Sequence, residues 1–482
     1  MKSGLVRSPY IFLILALLLF FPAFMINLEY EPVGEDEAIR ALVAFEMDKS
    51  GDYITPTIGG TPYMKKPPLY NWIIAGSYKL FGNYSEMAIR FPMIISLLLF
   101  SATIFFFIRK ELGKKLAILN ALIFLTTGRI IIYESLMGLI DMTFSWLSYL
   151  FFMLAYFLFK KEKFLLLFIM AYLIAAITWM MKGLPSITFL LISLLVLFVS
   201  GKRFHMLFSW RHFTGMFIFL LLVGGYYLIY FNLNPETSPE TLFMTLLEQS
   251  TRRTVVRFGL MKTILHFFAF PLEMLYHFLP WTLLTLGLFV GGSIKKAWAH
   301  RFLRYNILIL CFNIILYWAS PEVYPRYILM LLPLCFAVVS WVYTDLQERG
   351  AKAAKVIEYI FGATLILAGI APWASPYVEM VKDVDHVLLI SAILSIVLAT
   401  ISMIFWISRQ YRLFWFAIAI LVLRIGFDFL IHPTRQVNSD PAASKVLAYS
   451  LAEKTKGKPL YSYWNKNTVG LDFWYLKNCV SF

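Results

Sequence analysis

Acidic residues just beyond the first apolar segment are the first candidates for chemistry. The stretch GEDEAIR at 34–40 follows an apolar run over 10–27. A carboxylate at a membrane surface can act as a general base or bind a metal ion. The same acids are also favourable in the first turn of a helix, where they complement its dipole. Neighbours on a helix point about 100° apart, so only one of Asp36 and Glu37 is expected to face a reaction site.

A pair of adjacent lysines forms the second candidate cluster. The stretch YMKKPPLYNW at 63–72 places Lys65 and Lys66 among aromatic residues. Lysine ammonium groups can hold a phosphate as point charges. They can equally anchor a loop to lipid headgroups, and the sequence leaves both interpretations open.

Other ionisable residues lie near the predicted ends of apolar segments. Charge at membrane depth is costly, which makes such residues functional candidates, although each could instead extend to the interface. They are Arg129, Glu134, Asp141, Lys182, Glu248, Arg252, Arg253, Arg257 and Arg326. Glu273 and His277 share a helix face, but the sequence contains no HExxH motif, so a zinc site is not predicted.

The composition defines the class of protein that must position these residues. Of the 482 residues, 60% are hydrophobic and 15% are charged, and the mean hydropathy is +0.72. Soluble domains average roughly 45–50% apolar and about 25% charged residues. These values exclude a soluble enzyme, a nucleic-acid binder, a disordered protein and a fibrous one.

About 13 apolar segments approach the roughly 20 residues that a membrane span needs. They cover 10–27, 88–108, 116–133, 142–159, 164–181, 184–199, 213–231, 274–290, 305–319, 327–343, 356–372, 387–407 and 413–431. The first has no convincing cleavage site and is expected to be a retained helix. Residues 1–431 are therefore predicted to form one membrane domain, followed by a short tail at 432–482.

The charge pattern predicts the orientation in the membrane. The net charge is +15, and the basic clusters fall in alternate loops, which are expected to be cytoplasmic. The N-terminus is then cytoplasmic, and the C-terminus lies outside with most acidic residues. The long loops 28–87 and 232–270 also lie outside. Helices are predicted at 35–48 and 69–81, a loop at 52–68, and strand-like segments at 459–464 and 471–476.

The order of several motifs resembles a known enzyme family. EDEAIR, GDYITPTIGGTPYMKKPPLYNW, RFP, MKGLP and YPRYILMLLP follow one another along the chain. Together they resemble the polyprenol-phosphate-dependent membrane glycosyltransferases, in particular the lipid A aminoarabinose transferases and the related protein O-mannosyltransferases. The resemblance implies an all-α polytopic GT-C fold with interfacial helices on the outer face, where the active site lies.

The resemblance also implies roles for individual residues. Asp36, Glu37 and Asp141 match acidic positions of the family and are the predicted catalytic residues. The donor phosphate is expected at Lys66, Lys182 and Arg326, and position adds Arg129 and Lys65 as weaker candidates. Other substrate contacts are expected from Arg40, Tyr63, Tyr327 and Glu248.

The implied activity is the transfer of a sugar from a polyprenyl-phosphate donor to a lipid A-like or other envelope acceptor, in a bacterial inner membrane. Many relatives end in a larger soluble domain, and the short tail here leaves the acceptor open. A protein O-glycosyltransferase is one alternative. A transporter or flippase of lipid-linked sugar is another, although no repeat is evident and most charges lie near outer span ends. Membrane lipids are expected partners and nucleic acid is not. No cofactor is indicated, and a divalent cation remains an alternative.

Overall fold

Long apolar helices form most of the protein. The computed structural model describes residues 8–251, 255–456 and 469–480. Within those ranges, nine helical segments are long and apolar enough to cross a membrane. They are Glu86–Leu125, Ile140–Lys160, Phe164–Lys182, Trp210–Leu233, Arg301–Trp318, Pro325–Glu348, Lys352–Tyr377, Val387–Ile407 and Arg409–Leu430. The predicted all-α membrane fold is confirmed.

The helices are numbered here in chain order. They are α1 (Tyr10–Phe24), α2 (Glu35–Ser50), α3 (Leu69–Phe81), α4 (Glu86–Leu125), α5 (Gly128–Ile132), α6 (Ile140–Lys160), α7 (Phe164–Lys182), α8 (Pro185–Ser200), α9 (Trp210–Leu233), α10 (Pro239–Thr251), α11 (Val255–His277), α12 (Ser293–Ala299), α13 (Arg301–Trp318), α14 (Leu332–Glu348), α15 (Lys352–Ile370), α16 (Val387–Ile407), α17 (Arg412–Leu430), α18 (His432–Asn438), α19 (Asp440–Lys454) and α20 (Val469–Val480). Shorter 3₁₀ segments lie at Glu134–Leu136, Phe204–Phe208, Trp281–Phe289, Pro325–Leu331, Ala371–Tyr377 and Arg409–Tyr411.

The predicted count of 13 spans is not confirmed. The helix α4 has 40 residues, or about 60 Å of length, which is two bilayer thicknesses. It breaks at Gly113, whose φ is 83°, so α4 corresponds to the second and third predicted spans. The eighth predicted span, 274–290, is not a single α-helix in the structure. It comprises the end of α11 and a 3₁₀ segment.

Two helices and a small hairpin make up the segment 28–87, the predicted first outer loop. Both predicted helices are confirmed, as α2 and α3. Between them, the strands β1 (Thr57–Ile58) and β2 (Thr61–Pro62) pair antiparallel. Gly59 and Gly60 form the turn with φ values of 59° and 73°, a left-handed conformation that favours glycine in tight hairpins.

The C-terminal tail is helical where strands were predicted. The segment 471–476 lies within α20, so that prediction is wrong, and 459–464 lies outside the described residues. Phe473 and Trp474 are both fully buried. The Lys445 ammonium lies 4.1 Å from the centroid of the Trp474 ring and 2.7 Å from Glu86. Packing of α20 against α2 and α19 thus outweighs the β propensity of its aromatic residues.

A buried ion pair fixes α2 against α4. Both Arg90 and Glu37 have side chains only 2% exposed, and two of their hydrogen bonds measure 2.8 Å. The same carboxylate accepts a 2.6 Å hydrogen bond from the Gly138 backbone N–H. Glycine is required there, because a Cβ would lie 2.7 Å from the Ile89 carbonyl oxygen. The start of α2, which carries Asp36, is therefore fixed by two contacts of Glu37, one with Arg90 and one with the Gly138 backbone.

Replacing Glu37 by glutamine is expected to destabilise the fold, because it leaves the buried Arg90 charge uncompensated. Breaking a buried pair from one side costs about 3–5 kcal/mol. Thermal unfolding in detergent, followed by size-exclusion chromatography, measures the effect. The control is Glu162→Gln, in an exposed pair with Arg203, where a change below about 1 kcal/mol is expected. Equal melting temperatures for the two variants would contradict this assignment.

Candidate active site

The two acids at the start of α2 face in different directions, as expected for helix neighbours. Glu37 points into the protein toward Arg90, and its oxygens are occupied there. Asp36 remains 61% exposed. This geometry favours a positioning role for Glu37, which the sequence had grouped with the catalytic residues, and leaves Asp36 facing the open site.

Residues from three distant segments meet beside Asp36. Arg326, at the start of the span Pro325–Glu348, donates a 2.7 Å hydrogen bond to Oδ2 of Asp36. The Arg326 Nε lies 3.6 Å from Oδ2 of Asp141, at the start of α6. The Lys182 ammonium, at the end of α7, lies 2.5 Å from Oδ1 of Asp141. The side chains form a continuous chain of charges, named here the charge cluster: Asp36, Arg326, Asp141 and Lys182.

Local backbone geometry aims Lys182 at this cluster. The helix α7 ends at Lys182 and is followed by Gly183, whose φ of 75° favours glycine. The next helix begins at Pro185, and proline is well suited to a first turn. The MKGLP motif therefore makes a sharp corner with the lysine at its tip.

Lys66, in the loop that precedes α3, acts on the same carboxylate. It is half-buried, whereas Lys65 beside it is exposed. The Lys66 ammonium acts electrostatically on Asp141. With Lys66 the charge cluster holds three cations and two carboxylates, which gives a net positive charge suited to an anion.

Aromatic rings line the cationic side of the site. The Tyr327 centroid lies 4.4 Å from the Lys182 ammonium and 5.8 Å from the Arg326 guanidinium. Tyr324 lies 4.6 Å from the same guanidinium. Ring faces attract cations, so these tyrosines hold both side chains in place. The predicted contact of Tyr327 with a substrate stays a prediction.

A second pair lies next to the charge cluster. Nε of Arg129 donates a 2.8 Å hydrogen bond to Glu134, whose side chain is 3% exposed. Burial raises the pKa of Glu134, and the neighbouring Arg129 opposes that rise. Glu134 also interacts electrostatically with Asp141 and Arg326. The Glu134 carboxylate therefore links Arg129 to the charge cluster.

Arg40 and Tyr63, which were predicted to contact the substrate, form a hydrogen bond with each other. Nη2 of Arg40, which is 7% exposed, donates a 2.6 Å hydrogen bond to the Tyr63 hydroxyl. This bond joins α2 to the segment that leaves the hairpin toward Lys66. Glu248 lies exposed on α10, and its contact with a substrate stays a prediction.

Glu46 is a functional candidate that the sequence analysis missed. Its carboxylate accepts hydrogen bonds from the Thr57 hydroxyl at 2.6 Å and from the Gly59 and Gly60 N–H groups at 2.6 and 3.3 Å. The glycine pair in the hairpin turn is the signal that could have suggested an anchoring acid. Nothing in the sequence indicates that the anchoring acid is Glu46, eleven residues before Thr57.

Replacing Glu46 by alanine is expected to loosen the hairpin and the lysines that follow it. Hydrogen bonds to a charged group contribute about 1.5–3 kcal/mol each, so trypsin should cleave after Lys65 about tenfold faster. The cleavage rate of the purified protein measures this. The matched control is Glu453→Ala, at an exposed acid on α19, which should cleave at the wild-type rate. Unchanged cleavage in Glu46→Ala would refute the anchoring role.

A metal site is not evident from the described side chains. Within 8–251, 255–456 and 469–480, no three His, Cys, Asp or Glu residues are grouped closely enough to hold a metal ion. The metal requirement stays open, as it does from the sequence.

Comparison with known proteins identifies the fold. The crystal structure of ArnT from Cupriavidus metallidurans bound to undecaprenyl phosphate matches with a TM-score of 0.68 and 19% identity, over 97% of this chain and 84% of that one. The apo structure of the same protein matches with a TM-score of 0.69 and 18% identity, over the same shares of the two chains. The chain has the GT-C fold.

Two sequence matches accompany the GT-C fold. The family model described as dolichyl-phosphate-mannose-protein mannosyltransferase matches residues 65–227. An uncharacterized protein from Aquifex aeolicus (strain VF5) is 24% identical over 347 residues, which are 72% of this chain and 66% of that protein. The resemblance stated from the motifs is thereby confirmed. The matched segment includes Lys66, Asp141 and Lys182, and the GT-C fold brings Asp36 and Arg326 to them from outside it.

Proposed function

We propose that this protein is an integral membrane glycosyltransferase that takes a sugar from a polyprenyl-phosphate donor on the outer side of the membrane. The observation that carries the proposal is the charge cluster with Lys66, a net positive site containing an exposed carboxylate, within the GT-C fold. The acceptor is a lipid A-like lipid or another envelope component.

The cationic side chains suit the leaving group of this reaction. As the bond between the sugar C1 and the phosphate oxygen breaks, the polyprenyl phosphate leaves with the electron pair and gains negative charge. Lys66, Lys182 and Arg326 already surround the place where that charge develops. Such preorganised charges stabilise a transition state without reorganising during the reaction.

The exposed carboxylate suits the attacking group. A hydroxyl that attacks C1 must lose its proton, and Asp36 presents a carboxylate held by Arg326 through one oxygen. Its Oδ1 accepts no hydrogen bond from the described residues. In this mechanism Oδ1 of Asp36 takes the proton, whereas Asp141 stays ionised between two cations and orients them.

One observation favours a protein as the alternative acceptor. The matching family model is described as a protein mannosyltransferase, and its match includes Lys66 and two residues of the charge cluster, Asp141 and Lys182. The motifs resemble those of the lipid A aminoarabinose transferases in particular, so a lipid acceptor remains the primary proposal.

Mass spectrometry of envelope lipids and glycoproteins tests the proposed function and separates the acceptors. A strain lacking the gene should lose one sugar mass, from lipid if the primary proposal holds and from protein if the alternative holds. Restoring the wild-type gene should restore that mass, whereas the Lys66→Ala variant should not. Identical lipid and glycoprotein spectra with and without the gene, under conditions of expression, would contradict a transferase.

The sidedness of the site is tested by cysteine labelling. In a background where Cys311, Cys335 and Cys479 are replaced by serine, a cysteine at position 65 should react with a membrane-impermeant maleimide in intact cells. A cysteine at 114 or 295 should react only after lysis, because basic loops stay in the cytoplasm. External labelling at 114 would place the site on the wrong side for this mechanism.

A further inference from the structure

The side chain of Tyr70 connects α3 to the turn that precedes α6. Tyr70 is completely buried, and its hydroxyl donates a 3.1 Å hydrogen bond to the backbone carbonyl oxygen of Gly138. The N–H of the same glycine donates to Glu37 at 2.6 Å. Side chains from α2 and α3 therefore bind both polar groups of the Gly138 backbone.

This turn leads directly into the charge cluster. Gly138 lies three residues before Asp141, and α6 begins at Ile140. The position of the turn thus determines where the Asp141 carboxylate points. Asp141 also acts electrostatically on Tyr70, which places the two side chains in one neighbourhood.

On the other side, a short and stiff segment joins Tyr70 to Lys66. Tyr70 follows Lys66 by four residues, and Pro67 and Pro68 between them are both buried. Proline fixes its own φ and restricts the residue before it, so a shift of α3 also moves Lys66. Because the Lys66 ammonium acts on Asp141, the path from Lys66 through Tyr70 to Asp141 closes on itself.

We infer that Tyr70 is a positioning residue whose hydroxyl sets the separation between Lys66 and Asp141, and so holds the Lys66 ammonium at the anion site. The inference rests on the proposed function for the identity of that anion, the donor phosphate. A buried acceptor without a partner is costly. Removing the hydroxyl should therefore shift α3 relative to the turn at Gly138 and release Lys66 from its place.

A second tyrosine on the same helix provides a matched control. Tyr78 is 2% exposed, and its hydroxyl also donates a 3.1 Å hydrogen bond to a backbone carbonyl oxygen, that of Ala41 in α2. Tyr70→Phe and Tyr78→Phe each remove one buried hydroxyl from α3, so both should lower the melting temperature. Only Tyr70→Phe removes a bond to the turn before Asp141.

The first measurement is the reactivity of Lys66 and needs no sugar transfer. Purified protein in phosphatidylcholine nanodiscs is treated with limiting sulfosuccinimidyl acetate, and mass spectrometry compares acetylation of Lys66 with that of the exposed Lys65. Tyr70→Phe should raise the Lys66-to-Lys65 ratio about tenfold, because it removes the partner of a buried acceptor. Tyr78→Phe should leave the ratio unchanged. Equal ratios in the two variants would overturn the inference.

A variant in the stiff segment tests the same connection at another point. Pro67→Ala releases the backbone beside Lys66 without touching a buried hydroxyl, and should raise the acetylation ratio about two- to fivefold. It decides the result if Tyr70→Phe fails to fold. A wild-type ratio in Pro67→Ala would show that the segment does not hold Lys66 and would overturn the inference.

Turnover separates positioning from a general loss of stability. Tyr70→Phe should lower kcat at saturating donor by about 10–10²-fold, because displacing a positioned group costs this much. In a Lys66→Ala background the same change should have no further effect, since no ammonium is left to position. Additive losses would overturn the inference. If the wild-type protein transfers no sugar but Tyr70→Phe still raises the acetylation ratio, the proposed function is contradicted and the positioning of Lys66 by Tyr70 is supported.

Discussion

Replacing Lys66 by alanine is expected to lower turnover by about 10²–10³-fold at saturating donor, because one preorganised contact to a developing oxyanion is worth about 2.7–4 kcal/mol. Lys66 lies in the loop before α3, not in a helix, and acts on Asp141 from there. Its loss should therefore affect the reaction more than the fold. Sugar transfer by the purified protein in liposomes, with envelope lipid extract as acceptor, measures the effect.

The neighbouring lysine provides a matched comparison. Lys65 is exposed, whereas Lys66 is half-buried, so Lys65→Ala should cost turnover far less. Both variants should melt near the wild-type temperature. Wild-type turnover in Lys66→Ala with saturating donor would show that the donor phosphate is bound elsewhere.

Local signals explain why the elements around the site could be predicted from the sequence. The helix α2 lies between Gly34 and Gly51, and α3 lies between Pro68 and Gly82. Proline near a helix start and glycine after a helix end are strong boundary signals. Motif order then indicated charged residues that meet in the fold, such as Asp36 and Arg326, which are 290 residues apart.

Features that depend on tertiary packing could not be predicted in this way. Nothing local in the sequence pairs Glu37 with Arg90, so the local pattern did not show which of Asp36 and Glu37 is buried. The tail shows the same effect, because α20 is helical where its aromatic residues indicated a strand. The anchoring of Gly59 by Glu46 is likewise a contact between separate elements.

Replacing Asp36 by asparagine is expected to lower transfer to a hydroxyl acceptor by at least about 10²-fold, because an amide cannot take the proton that the hydroxyl loses. The change keeps the shape of the side chain, and the amide oxygen can still accept the hydrogen bond that Arg326 donates at 2.7 Å. The fold should therefore be retained. Removing a negative charge beside the donor phosphate should lower or preserve the donor KM, so the loss should appear in kcat.

The chemistry of the acceptor decides how large this effect is. A hydroxyl needs a base, whereas a lipid phosphate is already anionic and can attack C1 without losing a proton. Asp440→Asn, at an exposed acid of the tail, is the matched control and should leave turnover unchanged. If Asp36→Asn also keeps turnover within a few-fold of wild type, Asp36 is not the base. The role of Asp36 would then be to orient Arg326, which donates a hydrogen bond to it.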